Sequence, residues 1–230
     1  MWSDEALVDR ALYRLENVAY KRLSNAGFSP ATIIDIGAYH GKWSLDIHAI
    51  FPMAKIFMFE AVAGNEHYLA DVANQIGAEY RISLLASEAG REQIFFVQET
   101  GSSLYPERSD APKALTTLTT TTLDLALSGT NIEYPVFLKV DTQGAELNIL
   151  SGASDILSAA EVVQLECALL DYNEGAPDLA QVISYMNERD FKVFDIASFI
   201  RPHGKHLVQL DVLFVSKNSS LRPDFFQFQG

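Results

Sequence analysis

Apolar residues fall along this chain in short runs, and stretches of helical spacing separate them. "ATIIDIG" (31–37) and "KIFMFEA" (55–61) are rich in Ile and Phe and too short for helices, so they read as buried strands. Between them "KWSLDIHAIF" carries helical spacing, as does "NEHYLADVANQIG" (65–77), which stops at Gly77. "EYRISLLAS" (79–87) and "EQIFFVQE" (92–99) read as strands, the second entered by a turn at Gly90. The threonine-rich "TTLTTTTLDLAL" reads as a strand with a polar face, because β-branched Thr suits a pleated surface. "VFLKVDT" (136–142) is a strand, "GAELNILSGASDIL" a helix, "EVVQLECALL" (161–170) a strand and "DLAQVISYMNERD" a helix. "FKVFDIA" and "LVQLDVLFVS" end the series as two more strands.

Strands that alternate with helices make βαβ units, hence a mostly parallel sheet with helices on both faces. The last two strands are joined by "SFIRPHGKH" without a helix, which suits an antiparallel final strand. No Pro- or Gly-rich linker and no repeat interrupts the series. The expected organisation is therefore one domain over residues 1–230, with 1–27 as an N-terminal helical extension.

In such a sheet, ligands bind beyond the carboxyl ends of the strands. Asp35 ends the first strand and is followed by Gly37, Ala38 and Gly41. The glycines let the backbone turn tightly, and a strand-end carboxylate there would face a cationic or hydrogen-donating group. Glu60 ends the next strand, followed by Ala61, and an acid at that point can accept from both hydroxyls of a ribose. The turn reads G-A-Y-H-G, which lacks the G-x-G-x-x-G spacing that makes room for pyrophosphate. S-adenosylmethionine, with an amino-acid head, a sulfonium and a ribose, needs no such room. A nicotinamide-dependent oxidoreductase and a non-catalytic cofactor-binding protein remain as alternatives.

Composition narrows the partners. The 230 residues carry a net charge of −13, which disfavours nucleic acid. Hydrophobic residues make up 48%, enough for a packed core, but no run is long enough to span a bilayer. The amphipathic N-terminus lacks the apolar region of a signal peptide, and the single Cys167 sits in an apolar context. These features fit a cytoplasmic protein.

"IIDIGAYHGKWSL", "FMFEA", "TGSSLYPE", "FLKVDTQGAELNILSGA" and "LECALLDYNEGAP" resemble, in order, the FkbM-type S-adenosylmethionine-dependent methyltransferases. "KVDTQGAE" followed by "SGA" is the most specific of these. His40 and Ala61 depart from the family's usual Asn and Pro. The resemblance implies an α/β, Rossmann-like class I methyltransferase fold, with a mostly parallel seven-stranded sheet and an antiparallel last strand. It also implies methylation of a hydroxyl on a small molecule or sugar.

Carried over by position, Asp35, Gly37, Ala38 and Gly41 surround the methionine part of the cofactor. Glu60 and Ala61 meet the ribose, and Ser87 lies near the adenine. Lys139 and Asp141 flank the end of the fourth strand beside the methyl group, and Glu166 ends the fifth. Asp141 is the first candidate for the base, with Lys139 pairing it or polarising a hydroxyl. No spacing marks a metal site among Asp141, Glu146 and Glu166. The long polar loop 99–115, "DYNEGAP" (171–177) and "SFIRPHGKH" are expected to wall the acceptor pocket, with Tyr105, Tyr172 and Asn173 as contacts. His40, His203 and His206 fall in loops.

Overall fold

The structure, a computed structural model, describes residues 15–98 and 101–223, together with 225, 227 and 228. Residues 1–14 of the expected extension and 99–100 of the expected loop lie outside these. The described part of the extension is helix α1 (Leu15–Asn25).

Along the chain follow β1 (Thr32–Ile36), α2 (Lys42–His48), β2 (Lys55–Glu60), α3 (Glu66–Ile76) and β3 (Glu79–Ile82). Then come β4 (Leu84–Leu85), β5 (Glu92–Val97), β6 (Ala114–Thr121) and the short α4 (Leu123–Ala126). The second half holds β7 (Val136–Val140), α5 (Glu146–Ser151), α6 (Ser154–Ala159) and β8 (Ala160–Ala168). It closes with α7 (Leu179–Glu188), β9 (Phe191–Ile200) and β10 (Gln209–Ser216).

Among the described residues, seven strands form one sheet in the order β3-β2-β1-β7-β8-β10-β9. The first five are parallel, and β10 runs antiparallel to both β8 and β9. β1 and β7 are buried at every position, as expected of central strands covered on both faces. Alternate side chains serve two cores. Ile33, Met58 and Phe137 pack with α1, α2 and α3, whereas Ile34, Phe57 and Leu138 pack with α4 to α7. The expected fold class is thus the one found.

Three elements differ from the pattern in the sequence. The run 79–87 is two strands: it leaves the main sheet after Ile82, and β4 joins a second sheet in the order β4-β6-β5. The Thr-rich stretch is the expected strand, central in that second sheet, but its end, Leu123–Ala126, is the helix α4. The helix expected over 144–157 breaks at Gly152, where a Cβ would stand 2.3 Å from the Ala86 carbonyl oxygen. Two expected ends hold: α3 stops at Gly77 in the left-handed region, and α7 starts after Asp178, which forms a capping box with Gln181. No helix among the described residues is long and apolar enough to cross a membrane.

Candidate active site

A cavity of about 650 Å³ opens at the carboxyl ends of β1, β2 and β7. Its floor on one side is Gly37, Phe59, Glu60 and Ala61. On the other side stand Lys139, Asp141 and Gln143, with α1 and the β9–β10 pair beyond them. Ser102, Leu104 and Glu107 from the 99–115 loop form a third wall.

That loop is anchored mainly by polar bonds. The buried Ser103 hydroxyl donates to the Gln143 carbonyl at 2.7 Å, and Gln98 Nε2 donates to Glu107 Oε2 at 3.0 Å. Leu104 adds an apolar contact with the core.

Gly37 is required by packing. Its φ is +77°, and a Cβ there would lie 1.8 Å from the carbonyl oxygen of Asp141. The turn after β1 is therefore set directly against the end of β7. It is also tied to the neighbouring strand, because the Gly37 and Ala38 amides both donate to the Phe59 carbonyl at 3.0 Å.

Glu60 is nearly buried, and each carboxylate oxygen takes one backbone N–H. Tyr39 N donates to Oε2 and Val62 N to Oε1, both at 2.8 Å. Each oxygen keeps acceptor capacity on the cavity side. Tyr39 adopts φ +50°, and its ring stacks on His40, which in turn meets Tyr68.

Asp35 is placed differently. It is fully buried and does not line the cavity. The parallel register sets it beside Lys139, whose Nζ donates to Asp35 Oδ1 at 3.0 Å, and Ser44 Oγ donates to Oδ2 at 2.8 Å. Lys139 also reaches Asp141 Oδ2 at 3.3 Å. Burial works against the ammonium charge, but Asp35 and Asp141 outweigh it, so the Lys139 pKa is raised.

Asp141, with a side chain 39% exposed, is the member of this group most open to the cavity. Burial pushes its carboxyl up, while Lys139 and a hydrogen bond with Glu166 bring it below its ordinary value. Glu166 behind it is held well above its ordinary value by burial and by Asp141. Gln143 Nε2 donates to both Glu166 oxygens at 2.9 Å, and the Tyr172 hydroxyl donates to Oε1 at 2.7 Å. The arrangement is one carboxylate facing the cavity with a second carboxyl behind it that burial holds toward its neutral form.

Of the other expected residues, Ala38 is buried and Gly41 packs against Val72 of α3. Ser87 and Tyr105 line a separate cavity of about 460 Å³ with Asn148. Tyr172 and Asn173 support the wall from behind, Asn173 Nδ2 donating to the Gln143 carbonyl at 2.7 Å. Glu146 ties the turn after β7 by accepting from the Thr142 and Gly144 amides, and burial raises its carboxyl to about 7. His206 is exposed, and only the backbone of His203 is described. Among the described residues no cluster suits a metal ion.

The sequence reading missed Ser83, Glu16, Trp43 and Asp211, all on the cavity wall. Ser83 sits where β3 leaves the sheet, and its Oγ is buried without a partner among the described residues. Asp211 carried a signal, an acid inside the apolar strand "LVQLDVLFV". Glu16 carried none, since it reaches the cavity only by the docking of α1.

Residues 35–193 match the methyltransferase FkbM domain, and the chain belongs to that family. Methyltransferase FkbM from Methylobacillus flagellatus KT shares the fold at a TM-score of 0.52 and 14% identity, over 82% of this chain and 44% of that one. The chain thus spans less than half the length of that relative. WbdD aligns at 0.53 and 17% identity, over 95% of this chain and 43% of its own. Magnesium protoporphyrin IX methyltransferase from Synechocystis PCC 6803, solved with bound S-adenosylmethionine, aligns at 0.50 and 12%, over 94% and 85%. No curated protein matches the chain.

The chain thus belongs to a family of S-adenosylmethionine-dependent methyltransferases, which is the first of the three readings open at the sequence level. The residues fit the cofactor. Glu60 presents two fixed acceptor oxygens, the orphaned Ser83 hydroxyl lines the same side, and Phe59 and Leu85 supply apolar surface between them.

Proposed function

We propose that the acceptor is a hydroxyl of a small molecule or sugar, and that Asp141 is the group that receives its proton. The observation carrying this reading is the Asp141 carboxylate, kept ionised on the cavity wall by Lys139 and backed by Glu166. S-adenosylmethionine supplies an electrophilic methyl group when bound. A hydroxyl oxygen becomes strongly acidic as it forms a new bond to carbon, so a carboxylate of low basicity suffices to take the proton. Asp141 orients the hydroxyl by accepting its hydrogen bond, then holds the proton, and Glu166 shares the pair's charge.

The test is turnover of labelled S-adenosylmethionine with a panel of sugars and polyols, with the site of methylation read from the product. Asp141→Asn keeps the shape and loses the proton acceptor, so kcat is expected to fall roughly 10²–10⁴-fold. A product methylated on nitrogen or carbon would overturn the reading.

On the cofactor side, Glu60 holds the ribose. Glu60→Ala is expected to weaken S-adenosylmethionine binding by roughly tenfold or more, since it removes charged hydrogen bonds of about 1.5–3 kcal/mol each. Glu60→Gln is not silent either. It turns an amide N–H₂ toward the Tyr39 or Val62 backbone N–H. Calorimetry with a cofactor analogue lacking the ribose hydroxyls should show a smaller loss on Glu60→Ala; an equal loss removes Glu60 from this role.

A further inference from the structure

The end of the cavity away from Glu60 is built from parts of the chain outside the family-matched segment 35–193. Glu16 comes from α1, and Gln209 and Asp211 from β10. β10 lies four strand positions from β2, about 19 Å at the usual strand spacing.

The charges on the cavity wall are strongly unbalanced. Among the described residues, six acidic side chains line it against two ammonium groups and no arginine. Both ammonium groups are committed, Lys139 to Asp35 and Asp141, and Lys42 to Asp46.

Glu16 is fixed in place by donors on a single oxygen. Trp43 Nε1 and Gln164 Nε2 donate to Oε1 at 3.1 and 3.3 Å, and the Tyr20 hydroxyl lies 2.6 Å from it. Oε2 has no partner among the described residues. Asp211 accepts from Ser198 and lines the same cavity as Glu16 and Asp141; burial and the Asp141 charge raise its carboxyl to about 7, and a cation beside it favours the ionised form. Beside them Gln209, 8% exposed, has its Oε1 3.0 Å from the Tyr172 hydroxyl, which it shares with Glu166, and its Nε2 has no partner among the described residues.

We infer that the acceptor is a cationic polyhydroxylated molecule, an amine-bearing sugar or cyclitol, whose ammonium group is held between Glu16 and Asp211 while Gln209 Nε2 donates to one of its hydroxyls. The inference rests on the O-methylation reading of the same cavity. An ammonium supplies the missing counter-charge and donates to carboxylate oxygens, whereas a phosphate or carboxylate would meet three like charges without an arginine to receive it.

Three probes differing only at C6 test it: methyl 6-amino-6-deoxyglucoside, methyl glucoside and methyl glucuronoside. Binding to the protein saturated with S-adenosylhomocysteine is followed by saturation-transfer NMR and calorimetry, with a chelator present. The ammonium probe is expected to bind at least about tenfold tighter than the hydroxyl probe, with the carboxylate probe weakest. In the Glu16→Gln/Asp211→Asn double variant, whose folding is checked by S-adenosylhomocysteine binding, that preference should fall to about twofold or less.

Equal binding of the three probes, tightest binding of the carboxylate, or no binding of the ammonium probe overturns the inference. The underlying reading fails separately. If the ammonium probe binds preferentially but is methylated on nitrogen, the charge preference stands and O-methylation falls. If only the hydroxyl probe binds and is O-methylated, the reverse holds.

Discussion

Lys139→Met is expected to destabilise the protein by about 3–5 kcal/mol, because it leaves a buried carboxylate without its counter-charge. Asp35 is fully buried, and the Lys139 side chain is 4% exposed. Water cannot take over the lost partner, and the Ser44 hydroxyl alone remains to Asp35. For a chain of this size the melting temperature should fall by roughly 6–20 °C. Asp35→Asn should cost less, since Lys139 keeps Asp141 at 3.3 Å. The double variant Asp35→Asn/Lys139→Met should recover at least half of the loss, because no uncompensated charge then stays inside. Denaturant titration of the four proteins measures this, and a Lys139→Met protein within 1 kcal/mol of the parent would show that the pair is not a buried ion pair in solution.

Gly37→Ala is the second large effect. Alanine in the left-handed region costs roughly 1–2 kcal/mol, and overpacking adds about 1–3 kcal/mol. The added methyl would stand 1.8 Å from the Asp141 carbonyl oxygen and 2.9 Å from its carbon, both backbone atoms that cannot swing aside. The end of β7 must shift, and Asp141 with it. Cofactor affinity and turnover should therefore fall together, each by more than about tenfold. Gly77→Ala is the control. It has a similar φ of +69° but open space around it, so it should show the backbone strain alone and leave turnover intact. Thermal melts and single-turnover rates distinguish the two, and a Gly37→Ala protein as active as Gly77→Ala would refute the clash.

How far these features could be read from the sequence depends on the distance over which each is determined. Gly37 and Glu60 are legible because their environment is local: a turn that follows a strand, and a carboxylate at a strand end. The alternating βα pattern is legible for the same reason. Asp35 is recognisable as a strand-end acid, but its partner Lys139 lies 104 positions away and is fixed by strand register. Only the fold reveals that it points into the layer under α2. The departure of β4 from the main sheet is likewise invisible, since Leu84 and Leu85 would be apolar in either sheet. The Thr-rich stretch is legible as a strand, but its place between β4 and β5 in a second sheet is not. Glu16 reaches the site through bonds that span 148 positions to Gln164, and no local pattern foretells them.

Strand β10 follows β9 in sequence, yet it occupies the slot between β8 and β9. During synthesis from the ribosome, β9 emerges before it has any strand to pair with, since its sheet partner is β10. A nascent chain extended through Ile200 already contains the residues proposed to hold the methyl donor, from Gly37 to Ser83, together with β7 and Asp141. The opposite wall waits for Gln209 and Asp211 to insert. Truncation or proteolytic clipping ahead of Gln209 would therefore separate the two halves of the task, leaving a chain with the donor-side residues and no completed place for the molecule to be modified.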